Sequence, residues 1–410
     1  MTIPNEFTEA VVKANSPREE QLYTDFLSCG EPWKSMYRNN PWLTPPDVTQ
    51  PLEWGTGRYW DTTVARKHPY WKNQDLPTAT RDIQRMRRDL KQWGFCLVEE
   101  GLSKAQCTRF RERLFAQAEG ERRAGVQMPT PSGQYVNSLV NKGRCFVQCI
   151  EHDPEGVQAG PLIEQLMDET LGRGWICHSF LSNGADPGGY PQALHIDQAP
   201  LLPFQTREAP VLFNTMYIPQ DVDEENGGTL LIPGTHRIMA EAGSGGEVGE
   251  LPPTLNLEAR AGTLLIFDGR LLHGTGANRT DRQRFVATMS NVTSWTRQQE
   301  NWIVTVSPEV LAEASPKLLH RMGLQALTYG GTIEGFGLGA PGRVGDAYGS
   351  LKEFRQAYDR GEYVRVGPLS AESSKEEFER DYTLKRAHAR VGEQREARSR
   401  SARGKSPKRK

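Results

Sequence analysis

Three side chains from two distant stretches of this 410-residue chain carry the makings of one metal site: His195 and Asp197, separated by Ile196, and His273, the first residue of His273-Gly274-Thr275. Two neutral imidazoles and one carboxylate grip a divalent ion on one face and leave the opposite face open. That ligand set suits non-haem Fe(II) and its reaction with oxygen. The dyad spacing alone proves little, because eight histidines and 51 acidic residues among 410 make about one His-x-Asp/Glu expected by chance. The surroundings must carry the reading.

The dyad follows a Gly/Pro bend, Asp186-Pro187-Gly188-Gly189-Tyr190-Pro191. If residues 194–198 are extended, period-2 alternation puts His195 and Asp197 on one side of a sheet. Residues 263–267 read as a buried strand, Asp268-Gly269 as a turn, and residues 270–273 as the continuation of that strand. After a polar tip at residues 277–280, residues 283–289 read as the returning strand. His273 and Arg284 are symmetric about the point between Asn278 and Arg279, so a regular hairpin predicts them opposed. Thr275, Arg284, Val286 and Thr288 would then share the face of His273. An inward arginine is expensive to bury unless something anionic meets its fork. A dicarboxylic co-substrate that chelates iron at one end would bring that anion at the other.

These residues resemble the phytanoyl-CoA dioxygenase family of Fe(II)/2-oxoglutarate oxygenases. The resemblance rests on His195-Ile196-Asp197, on Asn226-Gly227-Gly228-Thr229-Leu230-Leu231-Ile232-Pro233-Gly234-Thr235-His236, on His273 four residues after Asp268-Gly269, and on Arg284 eleven residues further. It spans roughly residues 80 to 325 and is specific in its middle. It implies a mainly β protein, a double-stranded β-helix (jelly-roll, cupin-like) core with an N-terminal helical buttress. It also implies metal ligands His195, Asp197 and His273, with Arg284 binding the 2-oxoglutarate carboxylate and Thr275 assisting it. Fe(II) would be the metal, and 2-oxoglutarate and O2 the co-substrates, with succinate as a product. Asp197 stands where related halogenases have a small residue, which favours hydroxylation, desaturation or ring formation over halogenation. His236 competes for the third ligand position, but its family equivalent is structural, and a turn precedes it.

The elements that must position these groups can be read in order. Residues 1–79 form an arm rich in Trp and Pro, with Trp33, Trp42, Trp54, Trp60 and Trp71. It reads as a structural wrap, or as a wall at the site mouth, or as the contact of a homodimer. Within the oxygenase domain, 80–325, Ile83, Met86, Leu90 and Trp93 recur at helical spacing and Gly94 ends the run. Phe95-Cys96-Leu97-Val98 is a short strand, and Ser103 with Gln106 makes a capping box for a helix running to about Arg122. Residues 134–150 read as strand broken at Asn141-Lys142-Gly143, which puts Cys145 and Cys149 on a strand as free thiols. Residues 161–171 read as a helix, and 175–182 as a strand. Residues 210–219 read as a core strand whose inward polar member, Asn214 or Met216, could touch the co-substrate. His68, His152, His178, His320 and His388 have no clustered partners and read as surface or packing residues. Residues 326–369, rich in glycine, read as a lid or a connector, and 370–410 as a solvated charged tail.

Net charge of −1 gives no global attraction to nucleic acid or anionic membrane. No apolar run approaches membrane-spanning length. A small-molecule substrate in the cytoplasm is the expectation, with the basic tail raising a nuclear location and a protein or nucleic-acid substrate as the alternative. Two other readings compete: a jelly-roll binding protein without catalysis, and a zinc hydrolase, which would leave Arg284 unexplained.

Overall fold

The computed structural model describes residues 71–130, 132–189, 191–192, 194–198, 209–242, 254–325 and 370–372. The arm before Trp71, the glycine-rich stretch and the charged tail beyond 372 lie outside the described residues.

The domain opens as its sequence pattern requires. Helix α1 (Ile83–Trp93) is capped by Asp82, whose side chain accepts from the Gln84 N–H, and ends at Gly94 in the left-handed region with φ 80°. Strand β1 (Phe95–Val98) follows. Helix α2 (Lys104–Ala124) then starts at a reciprocal capping box between Ser103 and Gln106. Strands β2 (Met128–Thr130) and β3 (Gly133–Val136) lead to α3 (Arg144–Glu151), α4 (Gly160–Leu171) and the long strand β4 (Ile176–Ala185). The remainder alternates β5 (Leu212–Tyr217), β6 (Thr229–Leu231), α5 (Thr235–Ala242), β7 (Leu255–Asn256), β8 (Leu264–Asp268), β9 (His273–Thr275) and β10 (Arg284–Val292). Three short helices, α6 (Trp302–Thr305), α7 (Pro308–Ala312) and α8 (Pro316–Arg321), close the described domain.

Two antiparallel sheets result. The larger runs β1-β8-β5-β10-β4-β3-β2 and the smaller β7-β6-β9. Leu97, Met216, Leu265, Phe267 and Val286 of the large sheet pack on Leu231, Leu255 and Leu257 of the small-sheet side, so the sheets face each other across a shared apolar core. The opposite face of the large sheet, with Cys96, Phe180, Tyr217, Ile266 and Phe285, packs on α2, α3 and α4 through Phe110, Phe146 and Ile163. This is the expected jelly roll with a helical buttress. No helix among the described residues is long and apolar enough to cross a membrane.

Two expectations are corrected. Cys145 and Cys149 lie on helix α3, not on a strand. The apolar residues Phe146, Cys149 and Ile150 recur at helical spacing and are buried, and the alternation that suggested a strand ends at Val136. The hairpin between β9 and β10 also does not exist. Strand β9 pairs with β6 in the small sheet, whereas β10 pairs with β4 and β5 in the large one. The chain changes sheet at the turn after Asp268, where the Leu271 N–H donates to the Asp268 carbonyl, so residues 270–273 do not continue β8.

Candidate active site

His195 reaches the site by pairing with β9. It forms an isolated antiparallel bridge with His273, each backbone N–H donating to the other's carbonyl at 2.9 and 3.0 Å. The two rings come to lie 4.4 Å apart between centroids. Asp197, two residues on, closes the triangle: His195 Nε2 is 3.4 Å from its Oδ1, and His273 Nε2 is 3.3 Å from its Oδ2. One ligand atom from each of the three lies within 4.8 Å of the others. Such a set can hold a divalent ion.

The tautomer and rotamers are fixed from behind. His273 Nδ1 faces the Leu271 carbonyl at 3.0 Å, and since a carbonyl only accepts, Nδ1 carries the proton and Nε2 offers its lone pair to the site. Phe267 packs edge-on against the same ring, with centroids 4.7 Å apart. Asp197 receives the Asn214 Nδ2–H at 2.7 Å. Burial opposes its ionisation, but the imidazoles of His273 and His195 outweigh that and hold the carboxyl well below its usual range.

Arg284 begins β10 on the inner face, two residues from Val286 of the shared core, and is 1% exposed. Its Nε donates to the Asn226 carbonyl at 3.3 Å and its Nη2 to the Gly227 carbonyl, while buried Nη1 has no hydrogen-bond partner among the described residues. Burial alone pulls its pKa down to about 10. A buried guanidinium with a spare donor fits an anionic group, as the co-substrate reading requires. Thr275 also faces inward, paired with Thr229, but its hydroxyl accepts from Asn183 Nδ2 at 2.8 Å and donates to Gln192 Oε1 at 3.2 Å rather than meeting Arg284.

His236 is not in the cluster. It lies on α5 against the α1 cap, with Nε2 3.3 Å from the Lys91 carbonyl, and burial lowers its pKa to about 4. His178, read as a surface or packing residue, is buried beside the site. Its Nδ1 accepts the Gln299 N–H, and burial, only partly offset by the charge of Asp197, lowers its pKa to about 4. Tyr135 is a further neighbour that the sequence did not single out. Burial and the charge of Asp197 push its phenol up to about 12, against a contact with Gln192. The signal that could have found Tyr135, Asn183 and Ser290 was strand parity, which needs the sheet register to become readable.

Two facing sheets with a His/Asp/His cluster and a buried arginine between them define a jelly-roll protein with a candidate metal site. Residues 90–286, just under half of the chain, match the family model described as phytanoyl-CoA dioxygenase (PhyH). Among curated relatives, dioxygenase af480 of Aspergillus fumigatus is 27% identical over 271 residues, 62% of this chain and 84% of that protein. Dioxygenase FUM3 of Gibberella moniliformis is 34% identical over 103 residues, 24% of this chain and 32% of that one. Among solved structures, the non-heme alpha ketoglutarate dependent carbocyclase SnoK from nogalamycin biosynthesis aligns with a TM-score of 0.43 at 19% identity, covering 59% of this chain and 94% of that one.

Proposed function

We propose that this protein is an Fe(II)/2-oxoglutarate-dependent dioxygenase that hydroxylates an unactivated C–H bond of a small, natural-product-like molecule. One oxygen atom of O2 goes to the substrate as the new hydroxyl. The other goes to 2-oxoglutarate, which leaves as succinate and carbon dioxide. His195, Asp197 and His273 hold the Fe(II), and Arg284 takes the far carboxylate of 2-oxoglutarate. The supporting observation is the conjunction of three ligand atoms within 4.8 Å of one another and a fully buried guanidinium whose Nη1 has no acceptor among the described residues.

Iron and the oxo acid, when bound, supply oxygen activation and the two electrons the substrate does not provide. The side chains have narrower tasks. Leu271 holds the His273 Nδ1–H through its carbonyl, so that Nε2 is the ring atom turned to the metal site. Asn226 and Gly227 aim the Arg284 fork by holding Nε and Nη2, leaving Nη1 for the carboxylate. Thr275, Asn183 and Gln192 form a bonded polar strip on the inner wall, which lets Thr275 shape the co-substrate end. The facing apolar residues exclude water from the reacting bond.

The test is an anaerobic titration of the purified protein with Fe(II) and 2-oxoglutarate. A weak visible charge-transfer band in the wild type, lost in His195→Ala, together with succinate formation once oxygen and a substrate are added, is the expected result. A wild type that shows neither the band nor any consumption of 2-oxoglutarate overturns the proposal.

A further inference from the structure

The inner face of the large sheet carries one row of paired residues that ends on the metal cluster. Ser179 of β4 is paired with Ser290 of β10, Ser290 with Asn214 of β5, Asn214 with Phe267 of β8, and Phe267 with Phe95 of β1. Residues paired across a sheet project from the same face. Two members of this row touch the cluster from behind: Phe267 against the His273 ring, and Asn214 with its Nδ2 2.7 Å from Asp197 Oδ2. Asn214 is fully buried, and its Oδ1 accepts the Ser290 hydroxyl at 2.6 Å.

That second bond decides which way the amide points. An asparagine amide has a donor end and an acceptor end of nearly equal shape. Ser290 offers its O–H to the acceptor end, which commits the donor end to the carboxylate. Without it the amide can turn over and set Oδ1 against the negative charge of Asp197. We infer that Asn214 is a positioning residue for the metal-binding carboxylate, and that Ser290, which touches neither Asp197 nor any ligand histidine, sets the orientation of Asn214. The inference rests on the proposed role of Asp197 as a ligand. Hydrogen bonds to metal-bound carboxylates act in this way, and their loss weakens metal binding by roughly 10- to 100-fold.

The experiment measures Co(II) binding to the purified full chain, by titration and by the visible spectrum of the bound ion, so that the readout does not depend on turnover. Four proteins are compared: wild type, Asn214→Leu, Ser290→Ala and Ser290→Thr. Asn214→Leu removes both ends of the amide with little change of volume, and Ser290→Ala removes one hydroxyl, which keeps the comparison open should the first variant fold poorly. The expected result is affinity lowered about 10- to 100-fold in Asn214→Leu, lowered to a smaller extent with an altered spectrum in Ser290→Ala, and restored in Ser290→Thr. Unfolding of the metal-free Ser290→Ala protein close to that of wild type separates positioning from general damage. Wild-type affinity and spectrum in Ser290→Ala overturn the inference. A wild type that binds no Co(II) instead removes the metal-site reading itself, so the two failures are told apart.

Discussion

The described residues supply acceptors for Arg284 Nε and Nη2 and none for Nη1. A charge-assisted hydrogen bond contributes about 1.5–3 kcal/mol, or roughly 10- to 150-fold in affinity. Arg284→Leu should therefore weaken 2-oxoglutarate binding to the Co(II)-loaded protein by about that factor while leaving Co(II) affinity alone unchanged, as calorimetry would read. Arg284→Lys should restore little, because an ammonium cannot hold two carbonyls and a carboxylate in one plane. Equal 2-oxoglutarate affinity in wild type and Arg284→Leu would place the co-substrate elsewhere. His236 makes the complementary case. Its folded-state pKa is lowered from 6.5 to about 4 by burial, so between those values the unfolded chain takes up a proton that the folded chain refuses. Its contribution is complete above pH 6.5 and is lost as pH falls toward 4. In urea unfolding from pH 7 down to 4.5, His236→Asn should flatten the fall in stability by up to about 1.4 kcal/mol per pH unit. A slope identical to wild type would mean that His236 does not resist protonation. At this scale the convergence of His195, Asp197 and His273 and the burial of Arg284 agree with what the sequence led one to expect, because these residue types have few uses. Asn214 and Ser290 were harder, because asparagine and serine in a strand carry no signature until their partners are known.

Elements were readable wherever their signal is local. The αL glycine after α1 and the capping box of α2 are written in neighbouring residues, and both stand as expected. The β9–β10 hairpin failed for a reason built into the architecture: β8, β9 and β10 alternate between the two sheets, and the turn read at Asp268-Gly269 does not by itself say that the chain changes sheet there. The inward direction of Arg284 and Val286 survived that error, since alternation belongs to a strand by itself and not to its partner. The turn holding Asn226 and Gly227 shows an element acting on the site. Gly227 has φ +80°, and a Cβ there would stand 2.6 Å from the Gly276 carbonyl oxygen, so this turn admits no side chain without moving. Its own carbonyl seats Arg284 Nη2. Gly227→Ala should lower stability by about 1–3 kcal/mol and also weaken 2-oxoglutarate binding, with Co(II) affinity retained. Loss of stability without any change in 2-oxoglutarate affinity would show that the turn does not steer the arginine.

Across the whole molecule, the proposed ligands tie together parts that the backbone holds only loosely. His273 belongs to the small sheet, His195 joins it through a bridge to His273, and Asp197 is bonded to Asn214 of the large sheet. An ion bound by all three would therefore link the two sheets, and its binding free energy would add to the stability of the folded state. With metal and 2-oxoglutarate each binding only that state, a ligand at 100 times its Kd contributes about 2.7 kcal/mol. For a domain of this size each kcal/mol raises Tm by about 2–4 °C, so Co(II) alone should raise Tm by about 5–11 °C. Adding 2-oxoglutarate should raise it again. Asp197→Ala should lose both increments, whereas Arg284→Leu should keep the first and lose the second. That difference between the variants separates the metal from its co-substrate in one anaerobic melting experiment. A wild type whose Tm is indifferent to both would show that the sheets do not close around an ion at all.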